Sequence, residues 1–159
     1  MRVATLSVAL RPVRPRDDEL LRRIYASVRA DELAAVPWSP AEKEAFLRHQ
    51  FDAQDAHYRE HYAGASFDVI EVDGEPVGRL YVARWDDEIR IMDVAILPEH
   101  RGRGLGTRLL RDLLAEGASS RKRVSIHVEM NNPALRLYER LGFAPVAETG
   151  VYLRLEAKP

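Results

Sequence analysis

The sequence predicts an α/β fold: a mixed, mostly antiparallel sheet of six or seven strands flanked by about four helices. Two periodicities alternate along the 159 residues. Apolar residues recur every second position in some segments, which is typical of strands, and every third or fourth position in others, which is typical of helices. The apolar fraction of 46% is enough for one buried core at this length. We therefore expect a single domain over residues 1–159.

Charge and cysteine content exclude several classes of protein. The 24 basic and 25 acidic residues leave a net charge of −1, so no overall field draws the chain to nucleic acid or to an anionic membrane. No segment approaches the roughly 18 consecutive apolar residues of a membrane span. The absence of cysteine excludes a cysteine nucleophile and a cysteine-ligated metal. It is typical of a reducing compartment, and we expect a cytoplasmic protein.

The first part of the chain predicts an edge strand over residues 3–10 and two helices. Asp17 can cap the first helix. Ser39-Pro40-Ala41-Glu42 is a capping box with a first-turn proline, which predicts the start of a second helix that ends at Gly64. The buried positions expected on the first helix are Leu20, Leu21, Ile24, Tyr25 and Val28, and those on the second are Leu47, Phe51, Tyr58 and Tyr62.

From Phe67 onwards the apolar period changes to two, which predicts three strands. Asp73-Gly74 is the signal for a type I′ hairpin turn between the first two of them. A third strand over residues 88–97 is apolar enough to be central, and Pro98 ends it.

The rest of the chain predicts two helices and three further strands. Leu105, Leu109, Leu110, Leu113 and Leu114 share one helix face, and Gly117 closes that helix. A strand then alternates over residues 124–129. Asn132-Pro133 caps a last helix, with Leu137, Tyr138 and Leu141 inside and Gly142 at its C′ position. Short strands near residues 145–148 and 151–155 follow.

A glycine-rich segment between a predicted strand and a predicted helix indicates an anion site. It reads Arg101-Gly102-Arg103-Gly104-Leu105-Gly106. The start of a helix offers free N–H groups and about half a positive charge, and glycine lets an anion approach them. A dinucleotide motif fails because its third glycine would fall on Thr107 or Leu109, and no Walker motif occurs. The segment fits a different pattern, in which Gly104 and Gly106 follow Arg101.

This pattern resembles the acetyl-CoA pyrophosphate loop of the GNAT acetyltransferase superfamily. In that loop a Gln or Arg is followed by any two residues, a Gly, any one residue, and then a Gly or Ala. A second segment, Asn131-x-x-Ala134-x-x-Leu137-Tyr138-x-x-x-Gly142-Phe143, is similar to the carboxy-terminal signature of that superfamily. The resemblance implies an N-acetyltransferase that passes an acetyl group from acetyl-CoA directly to a primary amine. It assigns residues 1–64 to the acceptor side, 67–143 to the acetyl-CoA-binding core and 144–159 to terminal strands.

The resemblance also implies residue roles. Backbone groups of Val94, Ala95 and Ile96 would bind the pantetheine arm, and Asn131 would contact the cofactor close to it. Tyr138 would protonate the departing thiolate of CoA. The loop would hold the pyrophosphate, and the arginines of the loop would add positive charge. The residues of this pyrophosphate site would be Arg101, Gly102, Arg103, Gly104, Leu105, Gly106 and Thr107.

The base that takes the proton of the acceptor ammonium is less clearly indicated. Several members of the superfamily place a Glu on the central strand, where this sequence has Arg90. Asp93 on the same strand is our candidate, with His127, Glu129 or a chain of waters as the alternatives.

Two other functions stay open. One is a non-catalytic module that binds or senses acyl-CoA, which would keep the glycine loop but tolerate the loss of Tyr138. The other is a zinc hydrolase, because His57-Tyr58-Arg59-Glu60-His61 matches the motif H-x-x-E-H; otherwise these histidines line the acceptor side or face solvent. The sequence does not distinguish a small-molecule amine from a peptide amine as the acceptor, and the resemblance allows a homodimer.

Overall fold

The computed structural model describes residues 6–159. Its strands are β1 Val8–Pro12, β2 Ser66–Val72, β3 Glu75–Arg84, β4 Glu88–Ile96, β5 Arg123–Glu129, β6 Ala144–Thr149 and β7 Tyr152–Ala157. Its α-helices are α1 Asp18–Ala34, α2 Pro40–His61, α3 Leu105–Ser120 and α4 Leu135–Arg140, and two short 3-10 helices span Pro15–Asp17 and Pro98–His100. Residues 3–5 of the predicted first strand lie outside the described residues.

The described strands form one sheet in the order β1-β2-β3-β4-β5-β7-β6. The pairs β1–β2, β5–β7 and β6–β7 are antiparallel, whereas β4 and β5 are parallel. The prediction of a mixed, mostly antiparallel α/β fold with four helices is therefore confirmed. No helix within residues 6–159 is both long and apolar enough to cross a membrane.

Two compact units are distinguished in the described chain. Unit 1 holds the described residues up to Leu80 together with Ala95–Arg101, and unit 2 holds Tyr81–Val94 and Gly102–Pro159. One core cluster of unit 1 consists of Leu21, Ile24, Tyr25, Phe51, Ala95 and Leu97. In unit 2 the buried apolar residues of α3 and β5 are Leu105, Leu109, Leu110, Leu113, Val124, Ile126 and Val128. The single-domain organisation stays a prediction.

Three local sequence signals form the structures that they predict. The hydroxyl of Ser39 accepts the N–H of Glu42 at 3.1 Å, and the Glu42 carboxylate accepts the N–H of Ser39 at 3.3 Å, which is a complete capping box. Asp73 and Gly74 both have positive φ, 50° and 82°, as a type I′ turn requires. Gly142, with φ of 106°, follows the last helix. Each signal depends only on residues close together in the chain.

Two helix-boundary predictions are wrong in detail. Asp17 occupies the N-cap position of α1, as predicted, but its side chain makes no bond to that helix; it accepts hydrogen bonds from the N–H of Arg14 at 2.7 Å and from the Arg11 guanidinium at 2.8 and 2.9 Å. The hydrogen bond from Arg11 lowers the pKa of Asp17 to about 2. Gly117 does not close α3, which continues to Ser120. A Cβ there would lie 2.7 Å from the Val124 side chain, so this glycine permits close packing on β5.

The buried face predicted for α1 is also interrupted. Leu21, Ile24 and Tyr25 are buried, but Val28 is 51% exposed although it follows Ile24 by four residues. Burial resumes at Leu33. Spacing alone therefore overestimates the length of the buried stripe.

Candidate active site

The glycine loop of unit 2 precedes α3 and leaves the first N–H groups of this helix without a capping side chain. Gly104 occupies the N-cap position with φ of 77°, and no side chain caps the helix. The carbonyl of Gly104 accepts the N–H of Arg108 at 3.0 Å. The N–H groups of Leu105, Gly106 and Thr107 precede that bond and therefore have no partner within the helix.

Two left-handed glycines give these amides an open approach. Gly102 and Gly104 both have φ of 77°, a conformation that favours glycine, and a Cβ at either position would meet nothing within 4 Å. The Leu105 side chain is buried, which anchors the helix start in the core of unit 2. Free amides, the helix dipole and open space together suit a phosphate group.

Parallel pairing of β4 with β5 covers only the first part of both strands. Its register runs from Glu88↔Arg123 to Ile91↔Ile126. Beyond that point β5 continues its pairing with β7 as far as Glu129↔Tyr152, and β4 extends to Ile96. The backbone of a strand can bind an extended ligand by strand addition. The predicted pantetheine contact at Val94 lies on this part of β4.

In unit 1 the end of β4 is held closely against β3. The N–H of Leu97 donates to the Val77 carbonyl at 2.8 Å, and a Cβ at Gly78 would overlap the Ala95 carbonyl. The Arg101 side chain is fastened to the same strand, because its Nε donates to the Ile96 carbonyl at 2.8 Å. The backbone of Ala95 and Ile96 is thus fixed, and the Ile96 carbonyl already has a donor.

Tyr138 lies in the closing turn of α4. The N–H of Phe143 donates to the Tyr138 carbonyl at 3.0 Å and that of Gly142 to the Glu139 carbonyl at 3.1 Å, which is a Schellman motif. The rings of Tyr138 and Phe143 meet edge to face, with centroids 6.0 Å apart. The Tyr-x-x-x-Gly-Phe part of the sequence signature therefore encodes a helix end that fixes the tyrosine ring.

The charge of Asp93 acts on the phenol of Tyr138, the other predicted catalytic residue. Burial, and then the negative charge of Asp93, raise the pKa of Tyr138 above its usual 10.0. The phenol is therefore protonated at neutral pH and can donate a proton to a departing group.

The Asn131–Asn132 turn differs from its prediction. Asn132 does not cap α4, whose N-cap is Ala134. Its Oδ1 instead accepts the N–H of Ala134 at 2.8 Å, which closes the turn before the helix. Asn131 is exposed on that turn, where its amide can reach a ligand.

Arg90 on β4 is held in an ion pair. Its guanidinium donates to Glu88 at 3.0 Å and lies 4.9 Å from the centre of the Trp85 ring. An arginine does not act as a base, because it stays protonated in proteins.

His127, which lies opposite Arg154 on β7, is a better acceptor of protons than Arg90. Partial burial, and then the charges of Arg90 and Arg154, lower its pKa below 6.5 and keep it neutral at pH 7.

A buried carboxylate at the start of β4 was not predicted from the sequence. Only 5% of the Glu88 side chain is exposed. It accepts hydrogen bonds from the Ser125 hydroxyl at 2.6 Å, from Arg123 at 2.8 Å, and from Arg90 and Arg154 at 3.0 Å. Burial opposes its ionisation, but the bonds from Ser125 and Arg154 outweigh this and hold its pKa at about 2. Glu88 therefore ties β4, β5 and β7 together where the parallel pair begins.

The H-x-x-E-H motif lies near the end of α2. His57 and His61 are exposed, and their ring centroids are 4.5 Å apart. Among residues 6–159 no group of three or more His, Cys, Asp or Glu side chains is placed to hold a metal ion. The catalytic zinc of a hydrolase usually takes three protein ligands, so the described chain does not supply such a centre.

The comparisons with known proteins identify a family. The acetyltransferase (GNAT) family model matches residues 28–143. A Bacillus subtilis (strain 168) protein named as a proposed alanine N-acetyltransferase of ribosomal protein bS18 is 34% identical over 112 residues, which is 67% of this chain and 66% of that protein. Streptothricin acetyltransferase of Streptomyces lavendulae is 32% identical over 98 residues, 58% of this chain and 51% of that enzyme. The matches thus span less than two thirds of either relative.

A solved structure shows the same fold. The PaiA N-acetyltransferase from Thermoplasma acidophilum, crystallised in complex with coenzyme A, superposes with a TM-score of 0.73 over 96% of this chain and 99% of that chain, at 16% identity. Acetyl-CoA is the co-substrate of the family that the sequence match identifies. From the family match across most of the chain and the shared fold, we conclude that the protein belongs to the GNAT acetyltransferase family.

Proposed function

We propose that this protein transfers the acetyl group of acetyl-CoA directly to a primary amine. The proposal rests on the start of α3, where no side chain caps the helix and a Cβ at Gly102 or Gly104 would meet nothing within 4 Å, so that the amides of Leu105, Gly106 and Thr107 are available to an anion. These amides bind the pyrophosphate, and the positive end of the helix favours its charge. The family match across residues 28–143 includes this segment and supports the assignment.

In the proposed reaction the neutral amine attacks the thioester carbon, so that a C–N bond forms and the C–S bond breaks. The sulfur leaves as a thiolate and takes the proton of Tyr138, which the raised pKa keeps in place until that step, and the proton that the nitrogen loses as the amide forms returns to the Tyr138 phenolate. Asp93 receives the proton of the acceptor ammonium, and its charge attracts that cation. His127 and Glu129 are the alternative acceptors. Holding the amine and the thioester in contact supplies much of the rate.

The remaining cofactor contacts are proposed from the resemblance. Backbone groups of Val94, Ala95 and Ile96 follow the pantetheine arm, and Asn131 contacts the cofactor near it. Arg101 and Arg103 add positive charge beside the pyrophosphate amides of residues 102–107.

The acceptor is a small-molecule or peptide amine. The two curated relatives are named for different acceptors, an alanine of ribosomal protein bS18 and streptothricin, and the first name specifies N-acetylation. A cytoplasmic location, a homodimer and the absence of nucleic-acid and membrane partners stay predictions from the sequence.

Replacing Gly104 with Glu tests the pyrophosphate site. The new side chain enters the open space at the helix start and places a negative charge beside the phosphates. We expect the affinity for acetyl-CoA, measured by isothermal titration calorimetry, to fall more than about tenfold, which is about 1.4 kcal/mol.

Gly64→Glu is the matched control for this substitution. Gly64 also has positive φ, 82°, with open space around its Cβ position, but it follows α2 in unit 1. Both substitutions carry a similar backbone strain of about 1–2 kcal/mol. Equal affinity for acetyl-CoA in the two variants would show that the loop does not hold the cofactor.

A further inference from the structure

Two histidines near the end of α2 serve neither the hydrophobic core nor the proposed acetyl transfer. His57 and His61 are four residues apart, so both imidazoles project from the same side of the helix. Both side chains are exposed. Their ring centroids are 4.5 Å apart and their planes are inclined by 47°, so the rings lie side by side without stacking.

This separation matches the geometry of two imidazoles on one metal ion. A metal–nitrogen distance of about 2.1 Å, with about 1.1 Å from that nitrogen to the ring centre, places each centroid about 3.2 Å from the ion. At the ligand–metal–ligand angle of about 90° found in square-planar and tetragonal sites, two such rings have centroids about 4.5 Å apart. The two rings are therefore close enough for one cation to bind both.

The charges around the pair favour a cation. Glu60 lies on the same turn, with its Oε2 4.0 Å from Nε2 of His61. The neighbouring Arg59 is directed elsewhere: its guanidinium lies 3.9 Å from the centre of the Phe67 ring and 3.6 Å from the Asp55 carboxylate. A carboxylate beside a ligating histidine also helps to orient the ring.

We propose that His57 and His61 form a bidentate site for a late first-row divalent cation such as Ni²⁺, Cu²⁺ or Zn²⁺. Imidazole nitrogen suits these ions, whereas Mg²⁺ and Ca²⁺ prefer oxygen ligands. Since the described residues hold no third protein ligand at this position, water completes the coordination. The affinity follows the general order for nitrogen ligands, in which Cu²⁺ binds more tightly than Ni²⁺.

The test is a calorimetric titration of the untagged full-length protein with NiCl₂ in a buffer that does not coordinate metals. We expect one Ni²⁺ per chain at this site. His57→Ala and His61→Ala should each weaken its binding at least about tenfold, because either change converts a chelate into a single imidazole ligand. Far-UV circular dichroism without metal confirms that each variant retains its helices.

His49→Ala is the matched control. His49 is also exposed on α2, but it lies eight residues before His57 and therefore two turns away. We expect it to leave the Ni²⁺ affinity unchanged. The proposal is overturned if the wild type does not bind Ni²⁺ below about 1 mM, or if the His57 and His61 variants bind as the wild type does. It is equally overturned if His49→Ala weakens binding as much as they do.

Discussion

Replacing Tyr138 with Phe is expected to lower kcat for acetyl transfer by about 10²-fold or more, the usual contribution of a positioned general acid. The affinity for acetyl-CoA should change little. Phe keeps the edge-to-face contact with Phe143 and the backbone bonds of the helix end, so the ring stays in place. Only the proton for the departing thiolate is lost. Steady-state kinetics with calorimetric measurement of acetyl-CoA binding separates the two quantities.

The free energy of unfolding provides the control for this substitution. If Tyr138 acts only as a core aromatic residue, Tyr138→Phe will leave kcat unchanged, and the proposed acid is wrong. If the variant loses both stability and cofactor affinity, the hydroxyl has a structural role instead. We expect a change in kcat alone.

Replacing Glu88 with Ala is expected to lower the free energy of unfolding by about 3–5 kcal/mol, the usual result of removing one partner of a buried ion pair. The Glu88 carboxylate accepts bonds from three arginines and from Ser125. Arg123 and Arg154 retain Glu156 as a partner, but the charge at the centre of the cluster is lost. Chemical denaturation at neutral pH measures the change.

Glu116→Ala is the matched control for Glu88→Ala. Glu116 accepts two bonds from Arg84, at 2.6 and 2.9 Å, yet both side chains are more than one third exposed. An exposed pair of this kind contributes about 0.2–1 kcal/mol. If the two variants lose the same stability, burial of the Glu88 cluster has no special effect.

Low pH should also reduce the difference in the free energy of unfolding between the wild type and Glu88→Ala. The pKa of Glu88 is held at about 2, below the ordinary value of 4.5. Its contribution to stability is therefore complete above pH 4.5 and is lost as the pH falls towards 2. The difference in stability between wild type and variant should shrink over that range.

Features that depend on nearby residues could be predicted from the sequence. Ser39 and Glu42, three residues apart, form their capping box whatever the rest of the chain does. Glycines are harder to interpret, because they permit either a left-handed turn or a close approach. Gly142 ends α4 with positive φ, whereas Gly117 lies within α3 and lets it pack against Val124. Only the neighbour in space distinguishes the two.

Features that depend on strand register could not be predicted. Glu88 meets Ser125 and Arg154, which are 37 and 66 residues away, because β4, β5 and β7 align at this point. Similarly, the sequence shows Arg90 where family members have a Glu, but not that it pairs with Glu88 and contacts Trp85. The proximity of Asp93 to Tyr138 could be expected only through the family resemblance, since the two residues lie on separate elements.

Release of free thiol from acetyl-CoA shows whether the protein catalyses acetyl transfer. The chain contains no cysteine, so every free thiol detected with a colorimetric reagent comes from CoA. The protein is mixed with acetyl-CoA and, in turn, a peptide with a free amino-terminal alanine, a polyamine, an aminoglycoside and lysine. We expect at least one amine to accelerate thiol release, with one acetylated amine formed for each thiol. Binding of acetyl-CoA without acceleration by any of these amines would contradict it and indicate a non-catalytic acyl-CoA-binding module.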